Sequence, residues 1–193
     1  MSDRREGIHV PLDPYEVTAS RHVLKTRFVD VREDLIRHGD ADGVHYCVEL
    51  PRAAVVLPVL DDGSVVMIRQ WRHCVGRVLL ELPAGRAAPG EPIEAAVARE
   101  LEEETGFRAA AFEFLGSFFP LAGISDHEGF IFLAKGLTPG PARREALEHL
   151  ETETVSPENL LRLLGEGAIA DGFAQVALFR WFARRGSVSV PKS

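Results

Sequence analysis

The sequence is poor in cysteine, tyrosine, tryptophan and methionine, with two of each. Cys47 and Cys74 stand far apart and have no metal-ligand spacing; both are read as reduced and buried, the usual state of a small apolar thiol. No apolar run approaches the ~18 residues that a membrane helix requires. The first residues, MSDRREGIHVP, lack the apolar centre of a secretory signal. These two absences lead to the expectation of a cytoplasmic protein with no membrane partner. Positive charge is also scarce: the net charge is −7, which argues against nonspecific binding to nucleic acid. Ser and Cys residues have no nucleophile elbow or base beside them, so covalent catalysis has no support. His45, His73, His127 and His149 are scattered without ligand spacing and are read as structural or surface residues. No internal repeat or low-complexity linker interrupts the chain.

What remains is an ordinary globular composition, 46% hydrophobic and 26% charged over 193 residues. One compact domain with some decoration is expected. Residues 1–14 read as a loose polar arm. EVTAS, VLKTRFVDVRED and VHYCVEL read as short strands of a small antiparallel sheet, with breaks at His38-Gly39-Asp40 and Asp42-Gly43. Residues 53–60, AAVVLPVL, read as a strand buried on both faces, then a hairpin turn at Asp61-Asp62-Gly63-Ser64 with VVMIRQW as its partner. RVLLELP, FEFLGSFF and GFIFLAKGL are further strands, and residues 138–153 read as a loop. Ser156 caps a short helix with Pro157 at its first position. A second helix follows over residues 169–185, with Val176, Phe179 and Phe182 at helical spacing, and residues 187–193 form a tail. Strands on both sides of one central helix, with two helices at the end, suit a mixed sheet packed between helices.

That central helix is the informative stretch. Residues 81–107 read ELPAGRAAPGEPIEAAVARELEEETGF: a strand end, a glycine-containing loop, then a helix with Pro92 in its first turn and Gly106 as C-cap. Ile93, Val97 and Leu101 make an apolar stripe. Glu100 and Glu104 fall on the same side, and Glu103 lies beside them. Three carboxylates there repel one another and resist burial unless divalent cations hold them together. Such a run on a generic helix is commonly a solvated acidic face. The spacing argues otherwise. Gly85, five residues, Glu91, seven residues, then Arg99-Glu100-Leu101-x-Glu103-Glu104-x-Gly106-Phe107 resembles the box of the Nudix hydrolase family at every specified position.

The resemblance implies an α/β (α+β) Nudix fold, a mixed β-sheet in an α/β/α sandwich. Here a small N-terminal antiparallel sheet precedes it. The implied organisation is residues 1–50 as arm and dimerisation sheet, 51–186 as the hydrolase domain and 187–193 as tail. It implies Mg²⁺ or Mn²⁺ as cofactor, held by Glu100, Glu104 and the carbonyl of Ala84, with Glu103 a further ligand or a base. Arg99 either orients a glutamate or makes a plain surface pair with Glu103. Glu91 fixes the passage from loop to helix, and Gly85 lets the backbone turn tightly and approach the ligand.

LLELPAG before the box and FFPLAGISDHEGFIFLAKGL after it resemble the ADP-ribose pyrophosphatase branch, through Pro120, Gly123, Ser125, Asp126 and Glu128. Ala122 stands where that branch often has proline, and His127 separates Asp126 from Glu128. The implied reaction is hydrolysis of the diphosphate of ADP-ribose, or of a related nucleoside diphosphate-sugar such as GDP-mannose. With ADP-ribose the products are AMP and ribose 5-phosphate. A non-catalytic nucleotide-sensing module is the alternative of another class, against which the intact box counts. Ser125 and Asp126 are implied substrate contacts. The branch also implies a catalytic glutamate from a late loop, assigned to Glu148, with Glu151 and Glu145 as alternatives. Arg72 matches a phosphate-binding arginine or is a surface residue; the same choice holds for Arg52 toward the nucleotide. Trp71 stacks on a base or belongs to the core. The branch commonly forms homodimers with exchanged N-terminal sheets, and a small sheet over residues 15–50 needs a further surface to cover it.

Overall fold

The strand β4 (Ala53–Pro58) is buried at all six positions. In this computed structural model, which describes residues 14–143 and 149–186, that burial has two sides. Side chains alternate across a strand. Ala54 and Val56 join one core cluster with Ile93, Val97 and Leu101. Val55 and Leu57 join the other with Met67, Leu160, Leu178 and Phe182. A strand covered on both faces is therefore apolar throughout, as its sequence indicates.

Two sheets frame these cores. β7 (Ala84–Arg86), β4, β9 (Gly129–Pro139) and β8 (Phe107–Phe118) form a four-stranded mixed sheet in that order. In it β4 and β9 run parallel and the other neighbours antiparallel. β10 (Leu150–Val155), β5 (Val65–Arg72) and β6 (Arg77–Glu81) form an antiparallel three-stranded sheet. Helix α1 (Ile93–Thr105) lies in one core. Helices α2 (Pro157–Gly165) and α3 (Gly172–Arg184) contribute to the other. The arrangement is the mixed α/β sandwich expected.

Residues 14–50 contribute a separate unit. β1 (Glu16–Lys25), β2 (Asp30–His38) and β3 (Ala41–Glu49) form an antiparallel meander. By contacts, Met1–Leu50 and Gly123–Asp126 make one compact unit, and Pro51–Ala122 with His127–Ser193 the other. The short segment Gly123–Asp126 joins the meander because Ser125 bridges to Val48. Its hydroxyl also donates to the Val48 carbonyl at 2.7 Å.

Several local expectations need correction. Asp42-Gly43 is no break: both residues pair with β2 inside β3, and Asp42 also binds Arg37 at 2.7 Å. The turn at residues 61–64 is present, with Gly63 at φ 87°. Yet β4 and β5 share only the bridge between Val59 and Val65 and then enter different sheets. Residues 150–155 are strand rather than loop, because β5 offers them an edge. Ala84–Arg86 likewise pairs with β4 instead of looping. Pro92 sits at the N-cap of α1 rather than within its first turn. In α3, Phe179 is exposed; the core positions are Ala174, Ala177, Leu178, Trp181 and Phe182. Neither cysteine is fully buried: Cys47 is half-buried and Cys74 exposed.

Candidate active site

Ser156 caps α2 as read, accepting from Asn159 N–H, but the chemistry gathers on α1. Its buried positions are Ile93, Ala96, Val97, Glu100, Leu101 and Glu104. The apolar stripe thus continues into carboxylates. Glu100 is 6% and Glu104 2% exposed, whereas the Glu103 side chain keeps 37% of its surface. Glu104 Oε2 accepts the Ala84 N–H at 2.9 Å and ties β7 to the helix. Glu100 packs directly over Gly85: a Cβ built there would lie 2.0 Å from its carboxylate. Gly85 is glycine because that carboxylate occupies the space where a side chain would stand.

Arg99 meets more than Glu103. All five of its guanidinium N–H groups have acceptors. Nε and Nη2 grip Glu91 at 3.0 and 3.1 Å. Nη1 donates to Glu100 at 2.7 Å and to Glu103 at 2.9 Å. Nη2 also reaches the Arg86 carbonyl at 3.0 Å. This is an organising hub, not a plain surface pair. Glu91 in turn accepts Ala88 N–H at 2.8 Å and so fixes the loop against the helix. Arg99 first, then that backbone N–H, hold the Glu91 carboxyl below its usual value. The guanidinium itself is pushed further up by the same contacts.

A second charged pair stands beside the box. Arg72 binds the buried Glu81 in bidentate fashion, at 2.8 and 2.5 Å. Glu81 raises the Arg72 pKa, against the opposing effect of burial, and Glu104 adds to the rise. Asp171, the N-cap of α3, feels the charges of Glu81 and Arg72; burial pushes its carboxyl up, and the Ala174 N–H, bound at 2.7 Å, pulls it down. Glu81 and Asp171 were not singled out from sequence. The signal for Glu81 was an acid inside the apolar run VLLELP. That for Asp171 was an Asp just ahead of a helical pattern.

Arg52 reaches the Glu91 carbonyl at 3.3 Å, at the box end of β4. Trp71 is 48% exposed, so it is not core. As Arg72's neighbour on a strand, it points to the opposite face. Ser125 and Asp126 fall in the N-terminal unit, where Asp126 accepts Leu50 N–H at 3.1 Å. Glu145 and Glu148 lie outside the described residues. Glu151 pairs in register with Arg69, whereas Glu81 is opposite Ile68. Alternation therefore turns Glu151 away from the face carrying Arg72 and Glu81.

The family model described as NUDIX domain matches residues 49–176, which include every element of this site. The chain belongs to the Nudix family. It is 34% identical over 133 residues to the ADP-ribose pyrophosphatase of Bacillus subtilis (strain 168), covering 68% of this chain and 72% of that one. It is 31% identical over 180 residues to the ADP-ribose pyrophosphatase of Mycobacterium tuberculosis (strain ATCC 25618 / H37Rv), covering 83% and 87%. A crystal structure of an ADP compounds hydrolase superposes with a TM-score of 0.81 at 22% identity, over 93% of this chain and 100% of that one, a likeness of fold. This Nudix hydrolase carries the whole box, and its donor set suits a hard dication: carboxylate oxygens, two of them on buried side chains, with one arginine in direct contact. No helix among the described residues is long and apolar enough to cross a membrane.

Proposed function

We propose that this Nudix hydrolase cleaves the diphosphate linkage of ADP-ribose or a closely related nucleoside diphosphate-sugar, with Mg²⁺ or Mn²⁺ at the box. The observation that carries the reading is the buried carboxylate line of Glu100 and Glu104 on α1, where Arg99 brings one positive charge to the three carboxylates of Glu91, Glu100 and Glu103 and a further cation would lower the cost of burial. The substrate class is supported by the two ADP-ribose pyrophosphatases, at 34% and 31% identity.

Glu100, Glu103, Glu104 and the Ala84 carbonyl would hold the ion. When bound, such an ion neutralises phosphate charge and acidifies an attacking water. Arg99 fixes the Glu100 and Glu103 carboxylates in place. The Arg72 guanidinium, oriented by Glu81, keeps part of its surface open and offers N–H groups to a phosphate oxygen. Arg52, at the box end of β4, contacts the nucleotide. Glu148 serves as general base, taking the proton from the attacking water. The protein works on its small-molecule substrate as a homodimer in the cytoplasm. The meander supports the dimer: Leu24, Leu35, Val44 and Tyr46 are exposed on one of its faces, an apolar surface that calls for cover.

A turnover screen of nucleoside diphosphate compounds with Mg²⁺, with products identified by chromatography, tests the substrate. AMP and ribose 5-phosphate from ADP-ribose are expected. Faster release of GMP from GDP-mannose would reassign the substrate, and nucleotide binding without turnover of any compound would favour a sensing module.

A further inference from the structure

The N-terminal meander has two unlike faces. Leu24, Val31, Leu35, Val44 and Val48 share one face by register, with the Arg21–Glu33–Tyr46 row across its middle. The other carries Ser20, His22, Asp30, Arg32, Asp34, His45, Cys47 and Glu49. Asp30 is directly opposite Glu49 across β2 and β3. His22 reaches the same spot from β1 beside a register shift between His22 and Leu24, an irregularity of the kind that re-aims a side chain. One ligand atom each from His22, Asp30 and Glu49 lies within 4.8 Å of the others. We infer that these three residues, one from each strand, form a second cation site, distinct from the box and selective for a first-row transition dication.

The chemistry favours such an ion. One imidazole nitrogen and two carboxylates make a set suited to Zn²⁺ or Co²⁺, whereas Mg²⁺ prefers oxygen donors alone. Ligands around a tetrahedral ion with bonds of about 2.0–2.2 Å stand roughly 3.5 Å apart, so small movements of these side-chain ends complete the geometry. The charges agree as well. Asp30, Asp34 and Glu49 outnumber Arg32, which pairs with Asp34 and Glu49, and Lys25, which stands opposite Asp30. The face is left net negative, which favours a bound cation. His22 Nε2 donates to Glu49 Oε2 at 2.7 Å, and a metal would replace that proton. The Glu49 oxygen bound to Arg32 is the other one, Oε1. Arg32 would thus orient the ligand carboxylate from behind.

Co²⁺ is a suitable probe because its visible absorption reports ligand number and type. Full-length protein carrying Glu100→Gln and Glu104→Gln, which weaken the box, should still take up one Co²⁺ per chain, with a low-coordinate visible spectrum. Adding His22→Ala should lower that affinity at least tenfold and remove the spectrum. Asp30→Asn should lower the affinity as well, while far-UV circular dichroism stays unchanged. Mg²⁺ at millimolar concentration should not displace the Co²⁺. No uptake by the box variant, or uptake indifferent to both His22→Ala and Asp30→Asn, would overturn the site; the latter would show an adventitious ion only.

Discussion

Arg99 is where the site is most tightly specified. Its planar fork meets Glu91, Glu100, Glu103 and the Arg86 carbonyl together, a pattern that lysine cannot reproduce. Arg99→Lys should leave several acceptors unpaired, at a cost on the order of 2 kcal/mol in stability. It should weaken Mn²⁺ binding about 10–100-fold, the usual effect of losing a residue that orients metal ligands. Calorimetric Mn²⁺ titration beside chemical denaturation measures both. Glu91 gives a pH signature. Its folded pKa lies below the ordinary 4.5, so the unfolded chain binds the proton first as pH falls. The stability from the Glu91–Arg99 contact is therefore complete above about 4.5 and is lost as pH drops through the lower folded value. Melting curves between pH 5 and 3 should fall less steeply for Glu91→Gln than for the wild type. Equal slopes would show that the contact contributes nothing to folding.

At the scale of elements, the site is a meeting of β7 with α1. Gly85→Ala places a methyl group where the Glu100 carboxylate sits. Because Arg99 pins that carboxylate, the substitution should cut kcat by two orders of magnitude or more while lowering Tm by only a few degrees. A fully active Gly85→Ala variant would mean that the position of Glu100 is immaterial. Glu148→Gln should lower kcat by about 10²–10⁴-fold with little change in substrate Kd, the range for a general base. A loss on Glu151→Gln instead would move that role three residues along. Much of this element was legible in the sequence. The helix, its Gly106 cap and its acidic side followed from 3.6-residue periodicity, and a regular spacing of Gly and Glu fixed the register. The environment of Glu81 was not legible, because an acid in a strand shows its partner only when Arg72 is brought across from β5.

For the whole molecule, local pattern told little about which strand pairs with which. β4 and β5 are joined through the turn at residues 61–64 and read as a hairpin, yet they belong to different sheets. Long-range pairing of β4 with β9 overrides the turn. Similarly, β10 looked like a polar loop because its role is to extend β5, and edge strands tolerate polar residues. The exposed apolar face of the meander leads to a prediction about assembly: light scattering at micromolar concentration should give the mass of a dimer. Removing residues 1–47 should yield a monomer that still binds Mn²⁺ at the box but has lost substrate affinity. A full-length protein that is monomeric and fully active would exclude that arrangement.

The central claim is that the buried carboxylates of α1 serve catalysis by holding a metal. It is tested most directly by Mg²⁺-dependent ADP-ribose turnover in the wild type and in Glu104→Gln. Glutamine keeps the shape and can still accept the Ala84 N–H, while relieving repulsion within the cluster. The account predicts AMP and ribose 5-phosphate from the wild type, no measurable turnover from the variant, and an apo melting temperature equal to or above that of the wild type. A Glu104→Gln protein that retains near wild-type kcat at saturating Mg²⁺ would contradict it.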